Sequence, residues 1–348
     1  MAVFKFPAQW FAKCALYVQS VNLNRCQMPL NDVQFIECWN RHLSPSGVAK
    51  EAGINVRNVH ERRRKIEAKH GISLKVLDHR PAYNTALVTD DRVEIKLKIA
   101  DGVILVINDL HYWPGNVPTM HKAFCKMARE LKPVAVVING DAFDGASNSR
   151  HASIGWEKKP EVSDELQACQ DRLGEIFAAS GNAKRIWTLG NHDMRFSTFL
   201  AAQASQYKNV HGTQLKDHFP EWLPAWFVTV NEGEDSHTEI RHREKSGIHA
   251  SWNNAMGAGV TIVTGHNHTA DVRRIENRRG YHYGVRTGMG ADSARDPQFV
   301  NYLEGRKPTT WTSAFGVLTY KGGRLMQPEL ALRVDENHFE FRGELLEV

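Results

Sequence analysis

The spacing of apolar residues changes about a quarter of the way along this 348-residue chain. In the first part, apolar residues recur every three or four positions, which predicts amphipathic helices over residues 31–43, 46–52 and 55–70. Their inward faces are predicted to carry Val33, Phe35, Ile36, Trp39, Leu43, Val56, Val59 and Ile66. The apolar pattern of residues 1–30 is weak, and helix is the only structure predicted for them.

Beyond residue 91, strands alternate with helices. Apolar residues alternate with mostly charged ones over 93–99, and Asp101-Gly102 then predicts a tight turn into the apolar run 103–107, so a β-hairpin is expected. Further strands are predicted at 134–138, 186–189, 238–241 and 260–263, and helices at 118–131 and 162–179. Strands that alternate with helices predict an α/β layered body.

The distribution of charge agrees with a chain of two parts. Residues 1–80 hold 13 Lys and Arg against 6 Asp and Glu, a balance of +7, whereas residues 81–348 hold 31 against 33, a balance of −2. A basic module that binds phosphates would explain this asymmetry, and so would an ordinary solvated basic surface. We predict a helical module over 1–75, a linker over 76–91 and a catalytic body over 92–348.

Composition excludes several classes of protein. The apolar fraction of 42% and the charged fraction of 24% are those of a globular protein rather than a disordered one. The longest apolar runs have the length of strands, so no membrane partner is expected. The N-terminal stretch MAVFKFPAQW lacks the basic start and following apolar run of a signal peptide, so none is expected. Five cysteines without a CxxC pair predict reduced thiols in a cytoplasmic protein. Self-association is left open.

The second and third predicted helices, joined by a glycine turn, resemble a helix-turn-helix module. The stretch SPSGVAKEAGINVRNVHERRRKIE, residues 44–67, carries this resemblance. Outward side chains on the third helix suit base edges and phosphates, and they are Arg57, Asn58, Arg62, Arg64 and Lys65. The predicted partner is therefore nucleic acid, DNA in the first place. A small helical bundle that contacts another protein is the alternative.

Four predicted strands of the body end in polar clusters. Asn-Asp-Leu-His follows the strand 103–107, Gly-Asp-Ala-Phe-Asp follows 134–138, Gly-Asn-His-Asp follows 186–189 and Gly-His-Asn-His follows 260–263. Because ligands bind beyond the carboxyl ends of strands in α/β sheets, we expect the clusters to converge. Carboxylates, amides and imidazoles together suit Mn²⁺, Fe or Zn²⁺, and burying so many of them would be costly without cations.

The ordered motifs D-x-H, G-D-x-x-D, G-N-H-D and G-H-x-H resemble those of the calcineurin-like metallophosphoesterase family, over about residues 92–290. The resemblance implies a layered β-sandwich flanked by helices, here preceded by the small all-α module, and two divalent ions, Mn²⁺ favoured and Fe, Zn²⁺ or Ni²⁺ also suitable. Its implied ligands are Asp109, His111 and His268 for one ion, Asn191 and His266 for the other, and Asp141 between them. It also implies His192 as the acid that protonates the leaving oxygen, and Asp144 as a residue that orients a neighbour. Asp193 would either orient a neighbour, as Asp144 would, or lie on the surface.

The family pattern includes one more histidine between the third and fourth motifs, normally followed by glycine. His242 ends a predicted strand, but Arg243 stands where the glycine is expected. We favour His242 as this ligand. His249 is the main alternative, and His211 and His237 stay open.

Function is expected to follow from these parts. Two ions close together can activate a bridging water and hold the attacking and leaving oxygens of a displacement at phosphorus. With a nucleic-acid-binding module attached, we expect a nuclease or phosphodiesterase acting on DNA, resembling phage and mobile-element enzymes. Arg150 and His151 would contact the substrate phosphate. The alternatives are a phosphomonoesterase, such as a protein phosphatase, and a DNA-binding regulator with an inactive body.

Overall fold

The structure is a computed structural model that describes residues 30–75 and 94–348, apart from residues 152, 154–155, 279, 294–295, 297–298, 300–302 and 304–309. The chain divides into two compact units, Met1–His79 and Arg80–Val348, and each has its own hydrophobic core. The weakly patterned residues 1–29 and the predicted linker lie outside the described residues.

Three helices make up the described part of the N-terminal unit: α1 (Asp32–His42), α2 (Pro45–Ala52) and α3 (Val56–His70). Asn31, Ser44 and Asn55 accept hydrogen bonds from first-turn amides, which satisfies donors that a helix start leaves unpaired. Gly53 ends α2 with a φ of 64°, a left-handed conformation that favours glycine. The core of this unit contains Phe35, Cys38, Trp39, Val48, Ala49, Val59, Ile66 and Leu74.

Two residues predicted to face this core do not. Val33 is 64% exposed and Val56 is 41% exposed. Val33 precedes the buried Phe35 by two residues, about 200° around the helix, and so lies on the opposite face. Val56 lies in the first turn of α3, one turn before Val59, the first buried residue of that helix.

Two β-sheets form the body. The six-stranded sheet has the order β1–β6–β7–β8–β10–β9, with β1 at Glu94–Leu97, β6 at Phe227–Val230, β7 at Thr238–Arg241, β8 at Thr261–Thr264, β9 at Ala270–Asn277 and β10 at Gly280–Thr287. The nine-stranded sheet has the order β15–β14–β13–β11–β2–β3–β4–β5, with β12 beside β11. Its strands are β2 (Gly102–Ile107), β3 (Ala135–Asn139), β4 (Lys184–Thr188), β5 (Leu223–Ala225), β11 (Ala314–Lys321), β12 (Arg324–Leu325), β13 (Glu329–Arg333), β14 (His338–Phe341) and β15 (Glu344–Glu347).

Helices cover the outer faces of these sheets. They are α4 (Thr119–Leu131), α5 (Val162–Ala179), α6 (Asp193–Gln203) and α7 (Ala250–Ala258), with short 3₁₀ turns at Ala146–Asn148, Ser205–Tyr207 and Leu215–His218. Successive side chains of a strand point to opposite faces. Along β2, Leu105 lies in a core shared with α4 and α5, whereas Val106 lies in a core shared with the six-stranded sheet. The α/β class predicted from the sequence is confirmed.

The predicted hairpin over 93–107 is wrong. β1 pairs in parallel with β6, Glu94 opposite Phe227, whereas β2 pairs in parallel with β3 in the other sheet. Alternation of apolar and charged residues determines which face of a strand is buried, but it does not determine which strand lies beside it. The turn at Asp101-Gly102 therefore leads from one sheet to the other.

Within the described part of the chain, no helix combines the length and the apolar character needed to cross a membrane. Cys38, Cys125 and Cys169 are buried thiols outside any disulfide. Cys14 and Cys26 lie among the residues that the structure does not describe.

Candidate metal centre

Five loops that carry the predicted site residues meet at one edge of the body. β2, β3 and β4 are adjacent and parallel in the nine-stranded sheet, and β7 and β8 are adjacent and parallel in the six-stranded sheet. Since adjacent parallel strands end at the same edge, the loops that follow them lie close together. These loops carry Asp109, His111, Asp141, Asp144, Asn191, His192, His242, His266 and His268.

Asp109 connects loops from the two sheets. Its Oδ2 accepts hydrogen bonds from the His266 amide, at 2.8 Å, and from the Asn108 side chain. Its Oδ1 is buried and has no hydrogen-bond partner among the described residues. This oxygen lies 3.2 Å from Nε2 of His268 and 3.8 Å from Nε2 of His111. A carboxylate oxygen and two imidazole nitrogens therefore face one point, as three ligands of a cation do.

A second group surrounds Asp141. His242 donates a hydrogen bond from Nδ1 to the carbonyl of Asn139 at 2.8 Å, which directs Nε2 into the site. In the described part of the chain this Nε2 is buried without a hydrogen-bond partner, 3.0 Å from Oδ2 of Asp141. A ring nitrogen of His266 completes the group. Two lone pairs would repel each other at this distance, so either a proton on Nε2 or a cation must lie between the imidazole and the carboxylate.

Asn191 offers one further oxygen. Its Oδ1 is buried, and within the described ranges no donor hydrogen-bonds to it. Native structures rarely bury an amide oxygen without a ligand, an ion or a water beside it. The adjacent His192 amide donates to Oδ1 of Asp141 at 2.8 Å, which ties this loop to the second group.

The backbone at these loops is strained. Nine described residues other than glycine have a positive φ, and five of them are predicted metal ligands: Asp109, His111, Asp141, His266 and His268. Such conformations cost roughly 1–3 kcal/mol each and are concentrated at functional sites, where the surrounding fold imposes them. These backbone conformations direct the five side chains toward one another just after the strands end.

Two motif glycines permit the close approach of the loops. A Cβ on Gly190 would lie 2.1 Å from Oδ1 of Asp141, and a Cβ on Gly140 would lie 2.2 Å from the ring of His242. Neither position has room for a side chain. The glycines of the second and third motifs are therefore required by the packing of the site itself.

Carboxylates make the site strongly attractive to positive charge. Burial acts to lower the pKa of His111, but the nearby carboxylates of Asp109 and Asp144 outweigh it and raise this pKa to about 10. Burial likewise opposes the charged form of His242, and the Asp141 carboxylate raises its pKa to about 9. The field that binds protons at these nitrogens would bind divalent ions in their place.

Asp144 connects a predicted ligand to the predicted acid. Its Oδ1 accepts hydrogen bonds from Nδ1 of His111 and from Nδ1 of His192, both at 2.8 Å. Burial alone would raise the pKa of Asp144, but the two imidazoles hold it well below its usual range. These hydrogen bonds account for the close spacing of the three side chains without an ion among them.

Arg195, which sequence reasoning missed, lies against His192. Its Nη2 is 3.1 Å from Nε2 of His192, and its Nη1 donates to the carbonyl of Asp144 at 3.0 Å. Arg195 lies in the first turn of α6, three residues after His192. Residues three apart on a helix are neighbours, and this spacing was the available signal.

The surface position left open for Asp193 is wrong, because this residue is fully buried. Its carboxylate accepts hydrogen bonds from the amides of Gly190, Asp141 and Phe143 and from the indole of Trp187. Burial and the neighbouring Asp141 raise the pKa of Asp193 to about 6. The four donors favour the ionised form. Because they come from both loops, the Asp193 carboxylate joins the third motif to the second.

The four histidines considered for the missing ligand differ in position. His242 is buried within the Asp141 group. His211 and His249 are exposed, and His237 is half-buried just before β7. Among these four, the geometry favours His242.

Arg150 and His151 are exposed on the loop after the 3₁₀ turn Ala146–Asn148. Neither belongs to the groups of ligand-type side chains found among the described residues. Their contact with a substrate phosphate stays a prediction.

The residues predicted to contact nucleic acid lie on α3, in the N-terminal unit. Four of the five are exposed: Arg57, Asn58, Arg64 and Lys65. Arg62 is half-buried, and its guanidinium lies 5.3 Å from the centroid of the Phe35 ring. Arg62 therefore packs on the core by a cation–π contact, while the other four face solvent.

The body of the chain matches a known protein family. A family model described as calcineurin-like phosphoesterase matches residues 102–298, which is more than half of the chain and contains every predicted metal ligand. No curated protein matches the sequence. Among solved structures, that of Yfce, a phosphoesterase from E. coli, is similar to this chain with 15% sequence identity and a TM-score of 0.33, covering 70% of this chain and 96% of that one.

Proposed function

This chain belongs to the calcineurin-like phosphoesterase family, and we propose that it hydrolyses phosphodiester bonds of DNA with the help of two divalent metal ions. Membership of the family implies metal-dependent hydrolysis of phosphoesters. The observation that carries the two-metal part of the proposal is the meeting of two ligand groups, Asp109–His111–His268 and Asp141–His242–His266, at one edge of two sheets.

The residues present fit two ions. One would be held by Asp109, His111 and His268, the other by Asn191, His242 and His266, with Asp141 between them. Oδ1 of Asp109, Oδ1 of Asn191 and Nε2 of His242 are buried ligand atoms that lack hydrogen-bond partners in the part of the chain described. Oxygen and imidazole ligands without thiolates suit Mn²⁺ first, and Fe, Zn²⁺ or Ni²⁺ after it.

The side chains around the ions would carry the proton transfer. Bound here, two divalent ions would activate water and stabilise negative charge on phosphoryl oxygens. His192 would donate a proton to the leaving oxygen from Nε2, because its Nδ1 is held by Asp144 at 2.8 Å. The ionised Asp144 would stabilise the protonated imidazole before transfer.

The N-terminal unit favours nucleic acid as the substrate. One face of α3 exposes Arg57, Arg64 and Lys65, with Asn58 beside them. The acidic residue on this face, Glu61, pairs with Lys65 at 3.0 Å. Clustered guanidinium and ammonium groups bind phosphates, and their covalent connection to the body would raise the concentration of nucleic acid near the metal centre.

Cleavage assays on the full-length protein test the proposal. Mn²⁺-loaded protein is incubated with single- and double-stranded DNA and, in parallel, with bis-p-nitrophenyl phosphate and p-nitrophenyl phosphate. We expect cleavage of DNA and of the diester, loss of both activities in EDTA, and recovery on adding Mn²⁺. Asp141→Ala protein prepared in the same way controls for contaminating nucleases.

Two other results would each replace the proposal with an alternative. Turnover of p-nitrophenyl phosphate or of a phosphopeptide, without cleavage of DNA, would identify a phosphomonoesterase. Absence of bound metal by elemental analysis, together with no hydrolysis under any added metal, would identify a DNA-binding protein with an inactive body.

A further inference from the structure

We propose that Arg195 binds the phosphoryl group of the substrate, an inference that rests on the proposed phosphoesterase function. Arg195 is outside the motifs, and its side chain is 20% exposed at the edge of the metal centre. Its guanidinium is held between two groups of the site, the carbonyl of Asp144 at 3.0 Å from Nη1 and Nε2 of His192 at 3.1 Å from Nη2.

The charge of Arg195 is only partly compensated. The closest carboxylate oxygen recorded for it among the described residues is Oδ2 of Asp144, 4.0 Å from Nη1, which is beyond hydrogen-bond distance. Oδ1 of the same carboxylate already accepts from two imidazoles. A largely buried guanidinium without a hydrogen-bonded carboxylate is suited to an incoming anion.

Arg195 also keeps donors available. A guanidinium has five N–H donors in a planar fork, and the hydrogen bonds described for Arg195 involve only Nη1 and Nη2. This fork matches the oxygens of a phosphoryl group, which it binds through two parallel hydrogen bonds.

The position of His192 brings the substrate to this guanidinium. An acid must lie within about 2.6–3.2 Å of the oxygen that it protonates. Because Nη2 of Arg195 is 3.1 Å from Nε2 of His192, a phosphoester placed for protonation arrives within reach of Arg195. Nη2 then exchanges the imidazole nitrogen for a phosphoryl oxygen, while Nη1 stays on the carbonyl of Asp144.

The neighbouring loop fixes the arginine before substrate binds. A Cβ on Gly145 would lie 3.0 Å from Cβ of Arg195, so the loop passes directly against the base of the side chain. Gly145 has a φ of 62°, which allows this approach. A side chain held in this way loses little further entropy on binding an anion.

Phosphate affinity is the direct test. Binding of inorganic phosphate to the Mn²⁺-loaded full-length protein is measured by calorimetry, alongside KM and kcat for bis-p-nitrophenyl phosphate, in Arg195→Ala and Arg195→Lys. The matched control is Arg172→Ala, since Arg172 is 21% exposed on α5 and pairs with Glu175, away from the metal centre.

We expect Arg195→Ala to weaken phosphate binding at least tenfold, about 1.4 kcal/mol, and to raise KM, with metal content unchanged. Arg195→Lys should recover part of the affinity, because an ammonium keeps the charge but not the fork. Arg172→Ala should stay within twofold of the wild type.

Unchanged phosphate affinity in Arg195→Ala, with a fall in kcat alone, would overturn the proposal and leave Arg195 as a positioning residue for His192. If the alanine variant is unfolded by circular dichroism, Arg195→Gln and Arg195→Lys give the same comparison. Calorimetry needs no turnover, so Arg195-dependent phosphate binding in a protein that hydrolyses no ester would reject the proposed function and leave Arg195 as a phosphate-binding residue without a substrate.

Discussion

Nδ1 of His192 lies 2.8 Å from Oδ1 of Asp144, and this carboxylate oxygen lies equally close to Nδ1 of His111. A single oxygen therefore orients the predicted acid and a predicted metal ligand at the same time. Proton donation and ion binding, which are separate tasks, are coupled through this one group.

Replacing Asp144 with Asn should impair both tasks. The amide is neutral and cannot accept from both imidazoles as well as the carboxylate does, so it supports neither ring fully. We expect kcat to fall about 10²–10³-fold and Mn²⁺ affinity about 10–100-fold. Hydrolysis of bis-p-nitrophenyl phosphate across a Mn²⁺ titration separates the two effects, with the exposed Asp171→Asn as control. Complete recovery of kcat at saturating Mn²⁺ would show that His192 does not depend on Asp144.

His192→Ala and Asp141→Ala should differ in metal content. His192 would act on the leaving oxygen without binding an ion, so its alanine variant should keep the metals and lose about 10²–10⁴-fold in turnover. Asp141 belongs to the second ligand group and would serve both ions, so its removal should abolish both metal content and turnover. Elemental analysis and steady-state kinetics on the two proteins provide the comparison. Wild-type turnover in His192→Ala would refute its role as the acid.

The sequence predicted the site loops well because their strands have strong local signals. β2 and β3 are largely buried and consist mostly of apolar residues, β4 is buried over its last three residues, and each strand ends at a polar motif. The family resemblance then placed the ligands residue by residue. The partner of β1 could not be predicted, since the paired residues Glu94 and Phe227 are 133 positions apart and strand alternation contains no information about pairing.

Arg195 shows the other limit of the sequence. On a helix, an arginine is most often a solvated residue, and a spacing of three residues from His192 is a weak signal by itself. Its contact with His192 exists because His192, the residue before α6, already has helical backbone angles, so the two side chains lie one turn apart. The position of Asp193 stayed open for the same reason, because a carboxylate at a helix start is common on surfaces as well as in buried hydrogen-bond networks.

His242→Ala should remove metal, whereas His249→Ala should not. Nε2 of His242 lies 3.0 Å from Oδ2 of Asp141, and His249 is exposed at the start of α7. We expect His242→Ala to retain about one ion where the wild type holds two, with turnover reduced at least a hundredfold. Calorimetric Mn²⁺ titration of both variants measures the stoichiometry. Equal stoichiometry in His242→Ala and the wild type would reopen the choice of ligand.

Glu165→Gln should change the pH dependence of stability. Glu165 is fully buried on α5, where it accepts a hydrogen bond from the Ala146 amide, and burial raises its pKa to about 7. Because the folded state favours the protonated acid, its stabilisation is present below about pH 4.5 and is lost as pH rises through 7. The neutral glutamine avoids this loss, roughly 3 kcal/mol at most.

Urea unfolding in EDTA at pH 5 and pH 8 measures this effect as the difference between variant and wild type. The Glu165→Gln protein should gain stability relative to the wild type between the two pH values, whereas Glu161→Gln, an exposed change beside the same helix, should not. Metal ligands titrate in the same way in all three proteins and cancel in the difference. A pH-independent difference would mean that Glu165 is ionised throughout.

DNA binding by the N-terminal unit should depend on Arg57 and Arg64. Both are exposed on one face of α3, whereas Lys69, farther along the helix, pairs with Asp32 at 2.8 Å. Each phosphate contact contributes about 0.9 to the slope of log affinity against log salt, so Arg57→Ala/Arg64→Ala should lower that slope by up to about 2 and weaken binding about tenfold or more. Fluorescence anisotropy with duplex DNA from 50 to 200 mM salt measures the slope, with Lys69→Ala as the control that keeps this face intact. Salt-dependent binding unchanged in the double variant would place the DNA contact elsewhere, because two lost phosphate contacts cannot leave the slope as it was.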